Sequence, residues 1–229
     1  METITLLHGA LGDATQLLPL KENLSPFFEV KVLEFDGHGQ TSHQSDAFSV
    51  DGFVGQLKDF LLKMNEPSHL FGYSMGGFVA LLAAAEGNSK IKSITTLGTK
   101  MKWNQEIAAG EVRHLNADKI KAKVPAFYKL LEERHGDHWI DVLERTADFM
   151  LLLGASNPMN REQVSKIDLP VLLLLADQDQ MVTEEETEAV QKWIPSASYH
   201  QIENSHHPLE KVDLDMLTNK IRSFIGQHS

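Results

Sequence analysis

A chain of 229 residues with no cysteine, 32 acidic against 21 basic side chains and a formal net charge of −11 has room for one α/β domain with its own core. It cannot use a thiolate nucleophile, a disulfide framework or a Cys-based zinc site. The negative balance disfavours a nucleic acid or an anionic membrane as partner, since both require a basic surface.

The opening Met1-Glu2-Thr3-Ile4-Thr5-Leu6-Leu7 lacks a basic segment and is too short in apolar length for a signal peptide or membrane span, so a cytoplasmic protein is expected. Short β-branched or apolar runs predict strands at Glu2–Leu7, Val30–Phe35, His69–Tyr73, Lys92–Leu97, Val171–Leu175 and Ser198–Ile202. The run Val171-Leu172-Leu173-Leu174-Leu175 has no polar face, as expected of a parallel strand covered by helices on both sides. Spacing near 3.6 predicts helices at Gln16–Leu24, Gly52–Met64, Met75–Glu86, Glu184–Trp193 and Leu214–Ile225, the fourth opened by a capping box of Thr183 and Glu186. Strands alternating with helices give an α/β class with a parallel sheet.

Residues 100–160 differ: they carry nine basic and nine acidic side chains, so the whole acidic surplus lies on their flanks. Helices are predicted at Gln105–Leu115, Pro125–Arg134 and His138–Leu153, with Pro125 at the first helical position, Asp137 as an N-cap and Gly136 and Gly154 just past helix ends. We therefore expect a core domain of residues 1–99 and 161–229 with a helical cap, 100–160, inserted. The cap's apolar residues, Phe127, Leu130, Trp139, Val142, Phe149, Met150 and Leu153, must face something apolar, either the sheet domain or the mouth of a site. Leu11, Trp103, Phe127, Met150 and Met181 are the candidate substrate contacts. His135-Gly136-Asp137-His138 reads as a surface turn rather than a metal site, and Lys119, Lys121 and Lys123 as a solvated face.

The strongest motif is Gly72-Tyr73-Ser74-Met75-Gly76-Gly77, between an apolar strand and an Ala- and Leu-rich helix. A sharp strand-to-helix turn needs small neighbours so that the serine hydroxyl can project above the sheet. On this segment the chain resembles the α/β-hydrolase superfamily, and other motifs extend the resemblance over nearly the whole length. Leu6-Leu7-His8-Gly9-Ala10 is similar to the family's oxyanion loop, which implies the backbone N–H groups of Ala10 and Met75 as oxyanion donors and a bracing role for His8. Glu34-Phe35-Asp36-Gly37-His38-Gly39-Gln40-Thr41 is similar to the D-x-x-G-H-G-x-S turn, with Glu34 for the usual Asp and His38 structural.

The acid of the resembled triad falls at Asp179, in Ala176-Asp177-Gln178-Asp179-Gln180-Met181-Val182, with Asp177 as a turn-former and the alternative acid. The base falls in Ser205-His206-His207-Pro208-Leu209-Glu210, where alignment favours His206 and leaves His207 as the alternative. The family's first two strands have no counterpart. The resemblance thus implies six strands, mostly or all parallel, in the order 4-3-5-6-7-8 of family numbering, with the cap between strands 6 and 7.

A serine at the elbow, rather than an aspartate, excludes the alkyl-enzyme chemistry of dehalogenases and epoxide hydrolases. The resemblance implies a carboxylesterase-like serine hydrolase, Ser74–His206–Asp179, acting on small-molecule esters with small to medium apolar acyl groups, without cofactor or metal. Alternatives are a C–C hydrolase, lyase or lactonase on the same fold, the lyase drawing on Arg113, Arg134 or Arg145 in the cap, and a ligand-sensing signalling protein that keeps the triad.

Overall fold

The computed structural model describes residues 1–39 and 48–228. Gln40 and Thr41 of the glycine-rich turn lie outside the described residues. Among the described residues no helix is long and apolar enough to cross a membrane.

Six strands form one all-parallel sheet: β1 (Thr3–Leu7), β2 (Glu29–Leu33), β3 (Ser68–Tyr73), β4 (Ile91–Leu97), β5 (Val171–Ala176) and β6 (Ala197–Ile202), in the spatial order β2-β1-β3-β4-β5-β6. This is the expected order and handedness-compatible connectivity for strands joined by helical crossovers. The helices of the sheet domain are α1 (Leu18–Leu24), α2 (Val50–Leu62), α3 (Met75–Ala85), α8 (Arg161–Val164), α9 (Glu184–Trp193) and α10 (Leu214–Gly226). Between β4 and β5 run α4 (Gln105–Val112), α5 (Ala117–Lys123), α6 (Pro125–His135) and α7 (Trp139–Ala155).

Alternation along the central strands divides the core into two layers. Ile4, Leu6, Phe71, Leu97, Leu172 and Leu174 meet α1 and α10, whereas Leu7, Leu70, Ile94, Val171 and Leu173 meet α2, α3 and α9. Both faces of β1, β3 and β5 are buried throughout. The edge strands β2 and β6 keep exposed positions, as edges do. The capping box forms as read: Glu186 N donates to Thr183 Oγ1 at 3.2 Å and Thr183 N donates to Glu186 Oε2 at 3.3 Å.

The segment 100–160 departs from its reading in three places. Helix α5 spans the three alternating lysines and buries Ile120, a short helix whose single core residue gave little periodicity to detect. Asp137 caps nothing; it sits in a 3-10 turn, and α7 starts without a side-chain cap. Gly154 does not end a helix but lies inside α7, where α4 crosses so closely that a Cβ there would stand 2.5 Å from Ala108 Cβ and 2.9 Å from Asn104 O. The apolar faces of these helices divide. Trp139, Val142 and Leu143 pack with Leu131, Ile120 and Leu11, whereas Phe149 and Leu153 enter the main core beside Phe53.

Two glycines of this crossing make opposite tests. Gly154→Ala is expected to lower unfolding free energy by about 1–3 kcal/mol through overpacking, despite alanine's better helix propensity. Gly110→Ala, in α4 with nothing within 4 Å of the new methyl, is expected to raise it by up to about 1 kcal/mol. Urea unfolding of both variants reads the two signs.

Candidate active site

Because every strand is parallel, the loops after β1, β3, β5 and β6 all leave the same edge of the sheet, and each delivers one part of the site. Ser74 joins β3 directly to α3 with φ 50° and ψ −113°, outside the regions open to ordinary residues. Its backbone is held from both sides: Ser74 N donates to Leu97 O at 2.8 Å, and Thr99 Oγ1 donates to Ser74 O at 3.1 Å. The glycines around it are required by crowding. A Cβ on Gly76 would lie 2.5 Å from Leu7 O, and one on Gly72 would collide with the Gly77 backbone.

The loop after β1 makes a turn closed by Gly12 N donating to Gly9 O at 3.1 Å, with Leu11 in the left-handed region at φ 59°. His8 braces it, as expected. Its Nδ1 is 2.8 Å from Gly9 O and its Nε2 accepts from Phe35 N at 3.0 Å, an arrangement that assigns the proton to Nδ1 and leaves the ring neutral. Full burial pushes its pKa down to about 4. His38 is buried as well, stacked on Phe48 with ring centroids 4.8 Å apart, and burial holds its pKa well below the usual value. Glu34 takes the family aspartate's place by accepting from Ala14 N at 3.1 Å. No hydrogen bond among the described residues occupies the N–H of Ala10 or Met75.

Asp179 follows β5 with its side chain 1% exposed. Its Oδ1 accepts from Met181 N and Val182 N, both at 2.8 Å, and its Oδ2 lies 2.8 Å from Nδ1 of His207. The histidine that Asp179 holds is therefore His207, not the His206 that alignment favours. The cause lies in Ser205, the residue aligned with the family glycine: it is fully buried, with its N–H on Asp177 Oδ1 at 2.9 Å, its carbonyl accepting from Gln178 N at 3.0 Å, and its hydroxyl accepting from Asp213 N at 3.1 Å. Fixed there, and preceded by Asn204 at φ 53°, the loop aims the second histidine at Asp179. Asp177 is the turn-former that the sequence suggested, its carboxyl held below the usual range by the Ser205 and Asn204 backbone N–H groups.

Tyr73 ties these loops together, a role that no motif in the sequence indicates. Its hydroxyl donates to His207 O at 3.0 Å, so the residue before Ser74 holds the loop that carries His207, and burial raises its pKa so that it stays a donor. Beneath the pair lies Gly98, where a Cβ would stand 3.2 Å from both Asp179 Oδ2 and His207 Nδ1. No hydrogen bond joins Ser74 to His207 among the described residues, a contact that commonly tightens only with substrate present.

The five candidate substrate contacts are not gathered into one pocket. Leu11 and Phe127 pack in the cluster of α5–α7, and Trp103 lies against the main core with Nε1 donating to Lys100 O at 3.2 Å. Met150 is buried, and Met181 touches the site through its backbone N–H on Asp179. Two open cavities, of about 620 and 560 Å³, lie beside α10 and α2, and neither is lined by Ser74, Asp179 or His207. His135 is not part of a surface turn: it is fully buried against the oxyanion loop. Among the described residues no group of three His, Asp or Glu side chains could hold a metal ion.

A family model described as alpha/beta hydrolase fold matches residues 2–118, just over half of the chain. Among curated proteins, the chain is 20% identical over 246 residues to the pimeloyl-[acyl-carrier protein] methyl ester esterase of Aliivibrio fischeri strain MJ11, covering 99% of this chain and 94% of that protein. It is 30% identical over 94 residues to the dihydrolipoyllysine-residue acetyltransferase component of the acetoin cleaving system of Cupriavidus necator, covering 41% of this chain and a quarter (25%) of that protein's length. A thermophilic esterase from Thermogutta terrifontis superposes with TM-score 0.80 at 20% identity, over 100% of this chain and 91% of that one.

The buried His8 sets a pH dependence with a definite sign. Its folded pKa is depressed, so the unfolded chain binds the proton more readily; the stability it contributes is present above 6.5 and is lost as pH falls toward about 4. Between pH 4.5 and 6 this amounts to about 1 kcal/mol per pH unit. His8→Asn is expected to flatten the pH slope of the unfolding free energy by that much in urea titrations, whatever its effect at pH 7.

Proposed function

The chain belongs to the α/β-hydrolase family, and we propose that within it the protein is a serine hydrolase of carboxylic esters, with Ser74 as nucleophile, His207 as general base and Asp179 as the group that orients it. The observation that carries the reading is the Asp179–His207 hydrogen bond, at the same sheet edge as a serine on a left-handed strand-to-helix turn. With Nδ1–H committed to Asp179, the Nε2 lone pair is left to accept the Ser74 proton.

The chemistry then runs in two halves. Ser74 Oγ attacks the ester carbonyl as His207 takes its proton; the tetrahedral oxyanion is met by the Ala10 and Met75 N–H groups; and collapse expels the alcohol, which leaves with the proton from His207. Water, deprotonated by His207, attacks the acyl-enzyme, and the second collapse releases the acid and returns the proton to Ser74 Oγ. Met75 is the first residue of α3, so its N–H points from the positive end of that helix. Residues 100–160 form the cap in this reading, and small to medium apolar acyl groups are proposed from the family resemblance, since the cap's apolar faces pack on one another and into the main core. Of the three cap arginines the lyase alternative would draw on, Arg134 pairs with Asp13 and Glu210 and Arg145 with Asp141, which leaves Arg113.

Hydrolysis of 4-nitrophenyl esters of increasing chain length, with fluorophosphonate labelling, tests the assignment. Ser74→Ala is expected to abolish both, and His207→Ala to lower kcat by at least about 10³-fold. His206→Ala is expected to stay within about 3-fold of wild type, because its ring has no part in the Asp179 bond. Loss of activity in His206→Ala with retention in His207→Ala would return the base to His206. A folded wild type that neither turns over nor labels would move the function to ligand sensing.

A further inference from the structure

The turn that offers Ala10 N–H is strained, and besides His8 the groups that hold it come from outside the sheet domain. In a four-residue turn closed by Gly12 N on Gly9 O, Leu11 occupies the third position at φ 59°, a conformation that glycine adopts freely and a leucine only under strain. Two attachments offset this. The Leu11 side chain is buried among Ile120, Leu131, Trp139, Val142 and Leu143, all from α5–α7. Its carbonyl accepts from His135 Nε2 at 3.1 Å and from Arg134 Nη1 at 3.5 Å, both from the last turn of α6.

His135 is a bridge with two ends. Its Nδ1 accepts from Gly39 N at 3.0 Å, which fixes the neutral tautomer with the proton on Nε2, the form needed to donate to Leu11 O. Gly39 in turn sits at φ 59° against the Glu34 carboxyl that holds Ala14 N, at the far end of the same loop. Arg134 adds a buried cation beside Asp13 at 3.6 Å and paired with Glu210, three residues beyond His207. One pair of adjacent side chains thus touches both the oxyanion loop and the loop of the base.

We infer that His135 is a positioning residue of the oxyanion hole: by holding the Leu11 carbonyl it sets the Gly9–Gly12 turn and so aims the Ala10 N–H, coupling the seating of helices α5–α7 to transition-state stabilisation. This rests on the serine-hydrolase reading for its catalytic consequence, though not for its structural one. A hydrogen bond to the loop that presents a donor acts on the oxyanion more than on the bound ester, so its loss falls on kcat rather than KM.

The two halves of the bridge separate by substitution. His135→Gln places an amide donor near the Nε2 position and keeps the Leu11 contact; His135→Asn places its amide near Nδ1 and keeps only the Gly39 contact. On a 4-nitrophenyl ester we expect kcat to fall about 10- to 100-fold in His135→Ala and His135→Asn, with KM within about 2-fold, and to recover to within about 5-fold of wild type in His135→Gln. Affinity for an alkyl trifluoromethyl ketone, whose hemiketal oxygen needs the hole, is expected to fall in parallel with kcat. His138→Ala, at an exposed position on the same turn, is the control and is expected to stay at wild-type kcat. Equal behaviour of the Asn and Gln variants, or losses that follow melting temperature instead of the Leu11 contact, would overturn the inference. Amide hydrogen exchange of residues 9–14 reads the structural claim without turnover: it should quicken in His135→Ala and His135→Asn but not in His135→Gln. Unchanged exchange in all three also overturns it. An inactive wild type with the expected exchange pattern counts against the hydrolase reading alone.

Discussion

The geometry of the site depends on how closely α3 can start behind β1 and β3. The turn at Ser74 leaves no room for a side chain on Gly72 or Gly76, whose absent Cβ atoms would meet the Gly77 backbone and the Leu7 carbonyl. The left-handed backbone at a serine costs about 1–3 kcal/mol. Against it stands a helix with all eleven residues buried, among them Phe78, Val79, Leu81 and Leu82, each contributing about 1.5–3 kcal/mol of burial. The packing outweighs the strain several-fold, so Ser74 stays raised above the sheet edge without help from a ligand. The same logic explains why α3 is Ala-rich and lacks a polar face: among the described residues it is the one helix covered on every side.

Given that anchor, the parallel topology does the rest. Loops after β1, β3, β4, β5 and β6 emerge at one edge, and hydrogen bonds tie the last four in pairs: Tyr73 to His207, Ser205 to Asp177, Thr99 to Ser74. Asp177 and Asp179, two residues apart, take different work because their surroundings differ. Asp177 is spent on backbone N–H groups of the β6 loop, whereas Asp179 has one oxygen on its own turn and keeps the other for a histidine.

Much of this was legible in the sequence because the features that carry it are local. Gly72 through Gly77, the strand runs, and the Thr183–Glu186 box each state their structure within a few residues, and the sheet order followed from the family resemblance that the Gly72–Gly77 turn carries. The choice between His206 and His207 was not local. It turns on Ser205 being buried and bonded to two other segments, the Asp177–Gln178 turn and Asp213, where a motif alignment treats it as a mere substitute for glycine. Gly154 misled for a related reason: glycine past a helix end and glycine at a helix crossing look alike until the partner, here Ala108, is known. His135 was illegible because two histidines bracketing Gly136 and Asp137 look polar and therefore exposed. Burial of such a ring becomes affordable only when both nitrogens find partners, and those, Leu11 O and Gly39 N, lie about a hundred residues away in the chain.

Two of the left-handed turns at the site, at Ser74 and at Leu11, are held by different parts of the chain. Ser74 is stabilised within the sheet domain, by α3 and its neighbours. Leu11 is stabilised by residues 120–143 and by the Arg134–His135 pair, so the side of the site that offers Ala10 depends on those helices being in place. A disturbance that loosens α5–α7 would leave Ser74 and the Asp179–His207 pair standing while the turn at Leu11 relaxed. In a hydrolase so arranged, whatever seats the inserted helices adjusts the stabilisation of the transition state, and the nucleophile need not move.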